Sequence, residues 1–330
     1  MKFGPVPVTE AAGAILAHAV PLKKGRLRKG QVLSADDVMA LQAAGLEEVI
    51  VARLDPGDLN ENDAAAALAN ALAGAGLRVT RAATGRVNIH ATGPGIVAVD
   101  ADAIAAFNAV NPMITVATVP RYHQTDADGM VATVKIIAYA VPEADVAKAA
   151  ALGRGALSLL SPVYKTATLI ETEVGETPAD KGRRALAGRL DRFGMTLSDR
   201  VIVSHDASAI AGAVKAAADD IACEAIFVLT ASATSDVADV GPQGLRDAGG
   251  RLIHFGMPVD PGNLLFIGDI SGKPVIGLPG CARSPALNGA DWVMGRVLCG
   301  LTLGPADFAA MGVGGLLKEI PTRPQPRADI

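Results

Sequence analysis

Aromatic side chains make up only 3% of the 330 residues, so stacking platforms for single-stranded nucleic acids or sugars are scarce, and the core must be built from Ala, Val, Leu and Ile. Basic charge is not in excess either. Thirty Lys and Arg against thirty-four Asp and Glu leave a net charge of -4, so no overall basic footprint exists to hold nucleic acid through its phosphates. An anionic ligand must be held locally. The three cysteines, Cys223, Cys281 and Cys299, are odd in number and widely spaced, without a CxxC pair or a neighbouring histidine cluster, which argues against a disulfide framework or structural zinc. No run of about 18 uncharged apolar residues occurs, so no segment is expected to span a membrane. The opening MKFGPVPVTEAAGAILAHAV lacks the basic and apolar regions of a secretory signal, and a cytoplasmic protein is the expectation. Walker A, GxGxxG, GxSxG and kinase signatures are absent, which removes the commonest nucleotide and hydrolase readings. His18, His90, His123, His205 and His254 are scattered without HxxxH or HExxH spacing, and each reads as structural.

Half of the residues are hydrophobic, enough for real cores, and a length of 330 predicts about two domains. Residues 1–150 read as a mixed α+β region. Ser34 and Asp37 form a capping box for a helix that Gly45 ends, the strand EEVIVARL follows, and an alanine-rich helix runs from about Asn62 to Ala75 before Gly76. Residues 84–141 carry short strands broken by Gly and Pro, a possible subdomain or insertion, and a helix covers about Glu143 to Leu152. From Val163 the pattern becomes TATLIET, helix, RVIVS, helix, EAIFVLT, a βαβαβ succession. It predicts an α/β fold, a three-layer αβα sandwich with a mostly parallel sheet over residues 163–303 and ligands outside the carboxyl ends of the strands. A helix DVGPQGLRDAG, a strand RLIHF, a hairpin NLLFIGDISGKPVIGL and a helix from about Ser284 to Leu301 complete it. Residues 304–330 read as a C-terminal extension ending in the Pro-bearing linker or tail TRPQPRADI.

Three stretches can carry chemistry. The loop TASATSDVADV follows a predicted strand and precedes a helix starting near Asp239 or Val240. Thr230, Ser232, Thr234 and Ser235 can donate to an anion, with Ala231 and Asp236 beside them and helix amides adding about half a positive charge. Asp239 is either a helix cap or, with Asp236, a Mg²⁺ ligand and catalytic carboxylate; a capped loop without any ligand reads equally well. The second stretch is GLPGCARSP, where Leu278, Pro279 and Gly280 make a rigid turn. Arg283 offers a forked donor for phosphate or carboxylate, or is merely a surface arginine, and Ser284 is a candidate cap of the last helix. Cys281 reads as a small buried residue, with a ligand or redox role as the alternative. The third is the turn at Pro261, Gly262 and Asn263, weak taken alone.

The loop succession TASATSDVAD, DPGN, GLPGCARSP, with GKPVIG ahead of the last, resembles the molybdopterin-binding domain of molybdenum cofactor biosynthesis proteins of the MogA and MoeA type and of CinA-type proteins. The segment GAILAHAVPLKKGRLRKGQVLSADDVMALQAAGLEEVIV also resembles the MoeA type. GMVATVKIIAYAVP, HFGMPVDPGNLL, GLPGCARSP and MGVGGLLKEIPTRPQPR are similar to bacterial fusions with a following cytidylyltransferase or glycosyltransferase-like domain; the sequence stops where that domain would begin. The resemblance implies a molybdopterin or molybdenum cofactor ligand with its phosphate between the Thr230–Asp239 and Leu278–Ser284 loops. It also implies Mg²⁺ with a nucleotide if nucleotidyl transfer or hydrolysis occurs, a homo-oligomer, and a cytidylyltransferase or molybdoenzyme partner. Alternatives are a non-catalytic carrier or sensor and a CinA-like nucleotide hydrolase. The sequence departs from the family where paired glycines are replaced by Ala231 and Ser232, where Cys281 and Ala282 stand for Asn-Pro, and in lacking an Asp-Gly-Tyr-Ala signature, which argues against molybdate insertion by the usual route. Thr172, Asp180 and Lys181 match the family's Gly-Asp-Glu loop poorly.

Overall fold

The computed structural model describes residues 1–317, so the tail TRPQPRADI lies outside the described residues. The chain is mixed α/β and divides into two compact units, residues 1–93 with 97–159, and residues 94–96 with 160 onward. Among the described residues no helix is long and apolar enough to cross a membrane.

In the first unit Ser34 and Asp37 close the expected capping box, and the helix Ala35–Ala43 ends before Gly45 at φ 82°. The alanine-rich helix spans Glu61–Leu72, shorter than the composition suggested, because Asn60 caps it by accepting from the amides of Asn62 and Asp63 and Ala73 turns extended. Its buried stripe Ala64, Ala65, Leu68, Ala69, Leu72 shares one apolar cluster with Val87 and Ile89 of the strand Arg86–Ala91 and Val134 and Ile136 of Met130–Ile136. Small side chains let that helix lie close to the sheet. Residues 84–141 thus pack into the same core as the helix before them.

In the second unit, Thr166–Glu173 pairs in parallel with Val201–Ser204, with the short Thr196–Leu197 and with Ala225–Leu229, which pairs in parallel with Lys273–Gly277. The hairpin Phe266–Ile270 with Lys273–Gly277, and Arg251–Phe255 beyond it, add an antiparallel edge. Side chains alternate between faces along each strand. Ile170, Ile226, Val228 and Val275 join Ile210 and Val214 of the helix Ala207–Asp219 and Leu245 of Val240–Asp247 in one cluster. Glu171 and Leu229 meet the helix Lys181–Asp191 instead, at Gly182, where a Cβ would come within 2.5 Å of Leu229. Helices therefore lie against both faces of this sheet.

Candidate functional site

Four neighbouring parallel strands, Val201–Ser204, Thr166–Glu173, Ala225–Leu229 and Lys273–Gly277, release their chains at one edge of the sheet. In open parallel sheets that edge is where ligands bind. The Leu278 amide donates to the Val228 carbonyl at 2.8 Å, so the loop that starts at Leu278 leaves beside the loop that starts at Thr230. Arg283 then reaches across, its Nη2 donating to the Thr230 carbonyl at 2.5 Å. Two of the three expected stretches are thereby brought together.

Within the first loop most hydroxyls are already engaged. Thr230 donates to the Ser232 carbonyl at 2.8 Å, so at 3.1 Å it accepts from Thr234, and both threonines are buried. Ser235 donates to the Ala233 carbonyl. Of the four hydroxyls expected to face an anion, those of Thr230, Thr234 and Ser235 are engaged within the loop, and that of the exposed Ser232 meets His205 instead. The amides of Ser232, Ala233 and Thr234 meet no acceptor among the described residues, and three successive free N–H groups suit an anion. Ala231 and Ser232 stay out of the left-handed backbone region that glycines can enter.

Asp239 caps the helix Val240–Asp247. Its Oδ1 accepts from the Val240 amide at 2.7 Å and its Oδ2 from the Ser235 amide at 2.9 Å, while Asp236 accepts from the Ala238 amide. Among the described residues no group of three or more His, Cys, Asp or Glu stands where it could hold a metal ion. Asp239 accepts one backbone amide at each oxygen and no third carboxylate, His or Cys is grouped with it and Asp236 among the described residues, so the donor set does not fit a protein-held Mg²⁺.

His205, read from the sequence as structural, stands at this edge. Its Nδ1 lies 2.8 Å from the Thr172 hydroxyl and its Nε2 lies 2.7 Å from the Ser232 hydroxyl, while the Ala231 amide donates to Thr172 Oγ1 at 2.7 Å. A line of hydrogen bonds thus links three strand ends. The available signal was position: the residue follows a βαβ strand directly and precedes Asp206, which caps the next helix by accepting from the Ala209 amide. Glu171, one residue before Thr172, is buried and pairs with Arg200 at 2.8 Å, which holds the Arg200 guanidinium above its ordinary pKa. Asp180 precedes the helix Lys181–Asp191 without capping it by its side chain.

The second loop is held from beneath. Arg189 donates to the carbonyls of Ala282, Ser284 and Ala286 at 2.8–3.0 Å and pairs with Asp291 at 2.6 Å. Pro279 is buried and Gly280 exposed at the start of the 3-10 turn Gly280–Arg283. The expected cap at Ser284 is corrected: the last long helix begins at Gly289, and Asn288, in a capping box with Asp291, caps it. The cause is that 3-10 turn, which leaves Ser284 extended at its exit. Burial pushes the half-buried Cys281 thiol up, which favours the neutral thiol over the thiolate that ligates soft metals. The third turn serves the fold: the Pro261 carbonyl accepts from the Gly289 amide at 2.8 Å, and the Asn263 carbonyl from the Met257 amide. Gly262, at φ 137°, is required there, since a Cβ would come within 2.5 Å of the Gly289 nitrogen.

The family described as "Domain of unknown function (DUF8806)" matches residues 5–53. No curated protein matches the sequence. Among solved structures the chain is similar to one described as "Crystal structure of Molybdenum cofactor biosynthesis protein B", at 15% identity and a TM-score of 0.32, over 42% of this chain and 96% of that one. It is also similar to the "molybdopterin biosynthesis moea protein" from Pyrococcus horikosii, at 15% identity and a TM-score of 0.28, over 84% of this chain and 70% of that one.

Proposed function

We propose that the chain binds the phosphate-bearing pterin of the molybdenum cofactor, as molybdopterin or its molybdenum form, between the Thr230–Asp239 and Leu278–Ser284 loops. The observation that carries this reading is the convergence of those loops through Arg283 and Thr230, beside the free amides of Ser232, Ala233 and Thr234. A phosphate there accepts from the amides, from the Ser232 hydroxyl and from the guanidinium N–H groups that Arg283 does not spend on Thr230. No metal is needed, since donors alone neutralise much of the charge.

Among the activities this fold resemblance implies, carrying the cofactor to a cytidylyltransferase or a molybdoenzyme is favoured over Mg-dependent transfer or hydrolysis. The favouring observation is Asp239, whose Oδ1 caps the helix at Val240, whose Oδ2 fastens the Ser235 amide, and which has no group of three metal-ligating side chains around it among the described residues. A CinA-like hydrolase of pyridine or ADP-ribose nucleotides would need the same carboxylate free for a metal. The fused partner domain, the homo-oligomer and the cytoplasmic location belong to this reading as well.

Calorimetric titration with molybdopterin, molybdenum cofactor and ADP-ribose, each with and without MgCTP, tests it. The reading expects the pterins to bind without nucleotide or metal and ADP-ribose to bind weakly or not at all. ADP-ribose turnover in Mg²⁺ without pterin binding would overturn it.

A further inference from the structure

The Thr172 hydroxyl is 1% exposed and fixes the direction of every hydrogen bond that follows from it. Its oxygen accepts from the Ala231 amide, so its own hydrogen needs a separate acceptor, and among the described residues the one recorded is Nδ1 of His205. A buried hydroxyl hydrogen without an acceptor is costly, so Thr172 donates to the ring. An imidazole that accepts at Nδ1 carries its proton on Nε2, and that proton points at Ser232 Oγ, 2.7 Å away. Ser232 accepts it, and its own hydrogen turns outward from the exposed loop.

Both other arrangements fail at Thr172. A ring protonated on Nδ1, which would let Ser232 donate to Nε2, gives the buried Thr172 hydrogen nothing to bond. A doubly protonated ring does the same.

We infer that His205 is a positioning residue: with Thr172 it fixes Ser232 as an outward hydrogen-bond donor to an acceptor oxygen of the ligand, and it is not a base that activates Ser232 as a nucleophile. The inference deepens the anion-binding reading of this crevice and rests on it for the ligand. The direction of the relay stands on the free protein alone. A donor-only Ser232 beside the amides of Ala233 and Thr234 selects groups whose oxygens present lone pairs, as an ionised phosphate monoester does.

The direction is read by nitrogen-15 NMR of the labelled free protein at about pH 8, where unperturbed histidines are neutral, with His205 assigned by difference from His205→Gln. The inference expects the Nε2–H tautomer in the wild type and in Thr172→Ser. In Thr172→Val that preference is lost, and affinity for molybdopterin falls about two- to tenfold while Thr172→Ser retains it. A wild-type Nδ1–H tautomer overturns the inference, as does wild-type affinity in a folded Thr172→Val. If the wild type binds neither molybdopterin nor inorganic phosphate, the binding reading fails, and the tautomer still decides the relay.

Discussion

Arg189 and Asp291 form an ion pair at 2.6 Å in which neither side chain is more than 14% exposed, and the same guanidinium ties down the carbonyls of Ala282, Ser284 and Ala286. With the Ala185 carbonyl, the planar fork of arginine satisfies five acceptors that an ammonium group cannot reach together. Arg189→Leu leaves Asp291 charged and enclosed, and the expected loss is about 3–5 kcal/mol in urea unfolding, with Arg189→Lys only partly restoring it. An unchanged midpoint in both variants would contradict this role.

A second pair, with its carboxylate buried and its guanidinium partly exposed, involves Glu171, the residue before Thr172. Arg200 neutralises Glu171, and Gly182 allows the helix Lys181–Asp191 to approach that carboxylate, with room for a Cβ only 3.5 Å from its Oε1 and 2.5 Å from Leu229. Arg200→Met strands Glu171 and should cost about 3 kcal/mol of stability. Gly182→Ala should destabilise by about 1–3 kcal/mol through overpacking. Thermal unfolding monitored by circular dichroism measures both.

Asp239 should behave as a cap. Asp239→Asn keeps one of the two acceptor oxygens and sets an NH2 group against the other amide, so it is expected to lose part of the about 1 kcal/mol of stability that Asp239→Ala loses, and neither variant creates a Mg²⁺ requirement. Loss of a Mg-dependent affinity in Asp239→Asn would return this residue to the metal-ligand role.

The Cys281 thiol is raised by burial, and Cys299 is raised further, to about 11, by the same cause. Raising a thiol's pKa lowers its thiolate fraction at any pH below it, so alkylation by iodoacetamide at about pH 8 should run slower at both than at a free cysteine and accelerate only as pH rises past the ordinary thiol range. Peptide mass spectrometry against time checks this. Cys281→Ser should leave pterin affinity within about twofold, a change of less than about 0.5 kcal/mol.

The βαβαβ order was legible because its strands are short runs rich in β-branched residues and its second helix opens on the capping residue Asp206, signals that are local in the chain. The cap at Asn288 was not legible: Ser284 offers the same chemistry four residues earlier, and the choice depends on Arg189 holding the intervening carbonyls from another helix. The first loop does lie between a strand and a helix, but composition cannot tell a threonine that fastens its own loop from one that faces a ligand. His205 was missed for the same reason. Its partners Thr172 and Ser232 lie 33 and 27 positions away and meet it only through sheet register.

Calorimetric titration of molybdopterin into the wild type and into an Arg283→Ala, Ser232→Ala double variant tests the central claim most directly. The account predicts metal-independent binding by the wild type and a loss of at least about tenfold in the double variant, since a charge-assisted and a neutral donor are removed together. Equal affinity in the two folded proteins would contradict it.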